Sequence, residues 1–91
     1  MTRPKLFRRL RFRPKAFYFK PRGIPMYELD EVVLTKEEME AVKLKDHDGL
    51  EQIEAARKMK TSQSTFQRIL SCGRIKIAEA LVRGKALRIE E

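Results

Sequence analysis

The 91-residue sequence predicts an all-α domain of three or four helices behind an extended basic N-terminal arm, with room for one short strand pair. Three observations carry that expectation. Thr35 and Glu38 form a T-x-x-E pattern immediately ahead of a helical run, the signature of a capping box. Ser62, a good N-cap, opens a longer run with apolar residues at i, i+3/i+4 spacing from Phe66 to Leu81. The excess positive charge is confined to residues 1–25, where Pro4, Pro14, Pro21 and Pro25 discourage any long helix.

The elements follow in order. Residues 1–25 read as a basic, aromatic arm, and residues 26–91 as the helical domain. Within the arm Phe17-Tyr18-Phe19 is β-prone and expected to be anchored, whereas the chain before about Arg9 has nothing to order it. Pro21-Arg22-Gly23-Ile24-Pro25 reads as a fixed turn. Residues 26–34 are ambiguous: Met26, Leu29 and Val33 fit a helical face, while Val32-Val33-Leu34 suits a strand. The first sharp helix runs from Thr35 to about Asp46, burying Met39, Val42 and Leu44, and Asp48-Gly49 ends it. A second covers about Glu51 to Met59 with Ile53, Ala56 and Met59 inward. Lys60-Thr61-Ser62 then allows only a tight turn. The third helix starts at Gln63 and presents Phe66, Ile69, Leu70, Gly73, Ile77, Ala80 and Leu81 to the core, with Gly84 as its stop. Ala86-Leu87-Arg88-Ile89 reads as a strand able to pair with Phe17-Tyr18-Phe19.

Composition narrows the function classes. Residues 1–25 hold nine basic side chains and no acid, which leaves −1 for residues 26–91 out of a net charge of +8. Such a segment is drawn to phosphates, or secondarily to an anionic membrane surface. With one cysteine, Cys72, there is neither an internal disulfide nor a multi-cysteine metal site. No apolar run approaches the roughly 20 residues of a membrane helix, and Arg and Lys interrupt any secretory-type stretch; the expectation is a cytoplasmic protein. His47, without ligand partners, makes no metal site. Glu37, Glu38 and Glu40 are explained by capping and the helix dipole. No nucleophile, base and pocket come together, so neither catalytic residues nor cofactors are expected, and the protein is read as a non-enzyme.

The segment that carries chemistry is Gln52 to Leu70. A helix-turn-helix needs a small residue where its helices cross (Ala56), apolar residues flanking the turn (Met59, Phe66, Ile69) and a cap on the second helix (Ser62). With those positions inward, Gln63, Ser64, Gln67, Arg68 and Ser71 face outward, and they are hydrogen-bonding side chains with the reach to contact a major groove. Gln pairs bidentately with adenine and Arg with guanine; Ser62 and Ser64, near the helix start, suit phosphate. Arg8, Arg9, Arg11 and Arg13 of the arm would add phosphate or minor-groove contacts. One residue strains the pattern: Lys60 stands where a left-handed backbone is usual and Gly costs least.

The stretches Tyr18 to Pro25 (YFKPRGIP), Leu29 to Asp46 (LDEVVLTKEEMEAVKLKD), Glu54 to Met59 (EAARKM), Ser64 to Leu70 (STFQRIL) and Ala80 to Glu90 (ALVRGKALRIE) resemble an uncharacterised bacterial and archaeal family of predicted DNA-binding proteins. Its helical part is similar to region four of the sigma factors of bacterial RNA polymerase. The resemblance spans nearly the whole chain and implies DNA binding. Family members often carry cysteines in the N-terminal segment and Gly in the motif's turn; this sequence has neither. The expected function is sequence-specific binding of double-stranded DNA in transcriptional regulation. The alternatives are a small RNA-binding or ribosome-associated protein and a module that docks on RNA polymerase. A homodimer is a further expected partner if the Ile77, Ala80, Leu81 stripe is not covered by the chain's own aromatics.

Overall fold

The computed structural model describes residues 9–91, and Arg8 lies outside them. In chain order the elements are β1 (Tyr18–Phe19), a 3₁₀ turn (Met26–Glu28), β2 (Glu31–Leu34), α1 (Lys36–Val42), a π turn (Lys43–His47), α2 (Gln52–Lys58), α3 (Gln63–Arg83) and β3 (Ala86–Ile89). The class is mixed α/β, which corrects the all-α expectation. Three helices pack beside a three-stranded sheet of order β1-β3-β2. The strand pair expected at the chain ends is present, with Tyr18 opposite Arg88 and Phe19 opposite Leu87 in antiparallel register. The ambiguous stretch supplies the rest. β2 runs parallel to β3, from Glu31 opposite Ala86 to Leu34 opposite Ile89. A parallel pair needs a long crossover, and all three helices supply it.

Local chemistry explains the helix ends. Thr35 Oγ1 accepts the Glu38 N–H at 3.1 Å and Glu38 Oε1 accepts the Thr35 N–H at 2.9 Å, completing the capping box. The same buried carboxylate accepts Lys76 Nζ at 2.9 Å, and Lys76 also donates to the Val33 carbonyl at 2.8 Å. One lysine thus ties α3 to α1 and β2 together. α1 and α3 approach closely because Gly73 lies between them: a Cβ there would stand 3.2 Å from both Glu38 Cβ and Val42 Cγ2. At the far end, Gly84 at φ 66° and the Lys85 N–H bonded to the Ala80 carbonyl at 3.0 Å stop α3.

The core is Ala41, Leu44, Ala55, Ala56, Met59, Phe66 and Leu70, where all three helices meet, with Val42, Leu50 and Ile69 half-buried at its edge. Three inward faces differ from expectation. Ala55 rather than Ile53 fills the α2 face, and Ile53 is 56% exposed. In α1, Ala41 is buried while Met39 and Val42 are only half-covered; Leu44, in the following π turn, is buried as expected. In α3 the stripe divides. Ile77 and Ala80 turn towards the sheet, lining an apolar groove with Phe19 and Leu87, whereas Leu81 at the rim is 78% exposed.

Acid links hold the periphery. Arg74 on α3 donates to both Asp46 oxygens, through Nε at 3.0 Å, and that pairing holds the Asp46 carboxyl below its ordinary range. Asp46 therefore favours the folded state above the ordinary carboxylate pKa, near 3.9, and loses that contribution as pH falls through its lower folded value. Asp46→Asn is expected to flatten part of the acid-unfolding slope below about pH 4. At neutral pH it should cost less than about 1 kcal/mol, because both side chains are well exposed to solvent. Urea midpoints measured from pH 2 to 7 check both statements. A slope identical to that of the unsubstituted protein would contradict the pairing.

Candidate nucleic-acid interface

The turn between α2 and α3 is built as its sequence suggests. The Thr61 N–H bonds to the Ala56 carbonyl and the Lys60 N–H to the Arg57 carbonyl, both at 3.0 Å, the two bonds of a Schellman ending. That ending requires a left-handed residue, and Lys60 takes it at φ 58°, alone among the described non-glycine residues. A side chain there costs on the order of 1 kcal/mol. Lys60→Gly is accordingly expected to leave stability unchanged or raise it by up to about 1 kcal/mol, the gain being offset by the greater freedom of an unfolded glycine. A fall in the denaturant midpoint would contradict it. Ser62 Oγ accepts the Thr65 N–H at 3.1 Å and donates to Thr65 Oγ1 at 2.9 Å, so its hydroxyl is taken up in starting α3.

From that start α3 runs for 21 residues, about 31 Å at 1.5 Å per residue. Phe66 and Leu70 face the core, and the opposite side leaves Gln63, Ser64, Gln67 and Arg68 exposed and Ser71 half-exposed. The glutamines are not free. Gln63 Nε2 donates to Gln52 Oε1 at 3.3 Å, Gln52 Nε2 donates to Gln67 Oε1, and Gln67 Nε2 donates to Ser71 Oγ at 3.0 Å. Gln52, the first residue of α2, was not singled out as a site residue in the sequence. The signal was present as a third glutamine at the start of the preceding helix, but nothing in its spacing shows that it reaches α3.

Charge separates one residue from its neighbours. α3 carries Arg68, Arg74, Lys76 and Arg83; the last three pair with Asp46, Glu38 and Glu79. Among the described residues Arg68 has no charged or hydrogen-bonding partner.

The basic segment is strapped to this unit. The Arg9 N–H bonds to the Met59 carbonyl, at the end of α2, at 3.0 Å. The Phe12 N–H bonds to Glu40 Oε1 at 2.8 Å, giving that buried carboxylate a donor. Lys43 lies over the Phe12 ring and Arg13 over the Phe17 ring, each at 5.4 Å. Anchoring thus reaches back to Arg9, further than the expected Phe17–Phe19. The side chains of Arg9, Arg11 and Arg13 remain exposed. Cys72 is a free, exposed thiol, and among the described residues no group of His, Cys, Asp and Glu could hold a metal ion. No described helix is long and apolar enough to cross a membrane.

In geometry this is a helix-turn-helix pair mounted on a three-stranded mixed sheet, with a basic segment held beside the turn. The family model "Protein of unknown function DUF134" matches residues 1–91, and the chain belongs to that family. A UPF0251 protein of Moorella thermoacetica is 53% identical over 90 residues, 99% of this chain and 60% of that protein. UPF0251 proteins of Caldanaerobacter subterraneus and Dehalococcoides mccartyi are each 56% identical over 90 residues, covering 76% and 77% of their lengths. No solved structure matches the chain.

Proposed function

We propose that the protein binds double-stranded DNA sequence-specifically through the N-terminal part of α3 and acts in transcriptional regulation. The observation that carries this reading is Arg68: the one cation of α3 left without an acidic partner stands among exposed Gln and Ser side chains on a helix led by a tight turn. On the same helix Arg74, Lys76 and Arg83 each pair with an acid. Duplex DNA supplies the missing partner, either a guanine edge or a phosphate. The arm adds a sequence-independent contribution through Arg9, Arg11 and Arg13. For an RNA reading, stacking on single-stranded bases needs free aromatic faces; Lys43 and Arg13 lie over Phe12 and Phe17, which leaves that role to the exposed Phe19 and Tyr27.

Selection of bound sites from random duplexes tests the reading; an enriched motif is expected, and a pool that stays random would overturn it. The arm has its own test. Changing Arg9, Arg11 and Arg13 together to Gln keeps the backbone bonds at Arg9 and Phe12 intact. The slope of log K against log salt should then become shallower by up to about 0.9 for each lost phosphate contact. An unchanged slope would show that these side chains do not meet DNA.

A further inference from the structure

Three hydrogen bonds join four side chains across the helix pair, and all run in one direction. Gln63 donates to Gln52, Gln52 donates to Gln67, and Gln67 donates to Ser71. An amide carries two N–H donors and an oxygen with two lone pairs. Gln67 spends one N–H on Ser71 and one lone pair on Gln52, leaving one donor and one acceptor. That is the complement of an adenine edge, which offers an N6 amino donor and an N7 acceptor. The choice of which end of the amide points where belongs to Gln52. It is half-buried on α2, and with its oxygen turned to Gln63 it meets Gln67 with its own nitrogen. Held this way, Gln67 gives up rotamer freedom before DNA arrives rather than on binding.

We propose that Gln52 is a positioning residue that fixes the amide orientation of Gln67 and thereby its preference for adenine. This rests on the reading of α3 as the DNA-reading helix. Gln52 need not touch a base, and its effect passes through Gln67. A merely structural Gln52 would act on stability and on all duplexes alike. A positioning Gln52 acts on one base pair, and only while Gln67 is present.

Two substitutions separate these. Gln52→Met keeps length and apolar stem but removes the amide; Gln52→Glu still accepts from Gln63 but turns an acceptor towards Gln67, so the Gln67 amide must turn over. The probes are the duplex selected by the unsubstituted protein, its variants at each A·T pair, and a scrambled duplex. For Gln52→Met the expected result is a thermal midpoint and scrambled-duplex affinity close to the original, with discrimination at one A·T pair reduced about three- to tenfold, the scale of one hydrogen bond. Gln52→Glu should shift the preferred base at that pair. In a Gln67→Ala background neither change should alter discrimination further. Full discrimination retained by folded Gln52→Met, or an equal loss with and without Gln67, overturns the proposal while leaving α3 as the reader. An unsubstituted protein without preference among duplexes overturns both.

Discussion

Phe66→Ala is expected to destabilise the protein by about 3–5 kcal/mol. Phe66 is fully buried where α1, α2 and α3 meet, and several of its neighbours are alanines: Ala41, Ala55 and Ala56. Small side chains cannot move in to fill the space of a lost ring, so the variant keeps most of its cavity as well as losing transfer free energy. A domain of this size has a total stability of only about 5–15 kcal/mol, and its midpoint moves roughly 4–8 °C per kcal/mol. The thermal midpoint should therefore fall by at least about 12 °C. Ile53→Ala on the outer face of α2 should stay within about 0.5 kcal/mol. A Phe66→Ala loss below about 1 kcal/mol, or an Ile53→Ala loss of equal size, would mean that the α2–α3 crossing is wrongly assigned.

The second large effect concerns binding. Arg68→Ala should cost roughly 1–3 kcal/mol on the preferred duplex and relax the choice of base at one pair. The substitution removes an exposed side chain with no charged or hydrogen-bonding partner among the described residues, so thermal stability should be unchanged. A uniform loss on every duplex, with a shallower salt slope, would instead assign Arg68 to phosphate. Affinity unchanged on all duplexes would remove Arg68 from the interface.

What the sequence revealed and what it hid divide along physical lines. Features set by neighbouring residues were legible. The Thr35–Glu38 box, the Ser62 cap, the left-handed Lys60 and the Gly84 stop each depend on a few adjacent positions, and each is present. Of the features set by distant partners, the pairing of Phe17–Phe19 with Ala86–Ile89 was legible and the others were not. Glu31–Leu34 is a strand because Ala86–Ile89 lies beside it in parallel, a pairing across all three helices that no local pattern encodes. Even the link across that sheet, in which Tyr18 donates to Glu31 at 2.9 Å and Arg88 to the same carboxylate at 3.1 Å, joins three separate segments. The misread face of α2 has a different origin. Ile53 outranks Ala55 in hydrophobicity, but close helix crossing selects for small size, and Ala55 and Ala56 together fit where isoleucine would overfill the core. At the site, periodicity put Gln63, Ser64, Gln67 and Arg68 on one exposed surface. The link through Gln52 was invisible because it depends on how α2 leans on α3.

The most direct measurement is the ratio of dissociation constants for the selected duplex and a scrambled duplex of equal length, at matched salt. It compares the unsubstituted protein with the Gln67→Ala/Arg68→Ala double variant, after circular dichroism has shown the variant to be folded. The expected result is a large ratio for the unsubstituted protein that falls by at least about thirtyfold in the variant, the lower scale of two lost base contacts, with scrambled-duplex affinity nearly retained. A folded variant with an undiminished ratio would contradict the assignment of α3 as the reading helix.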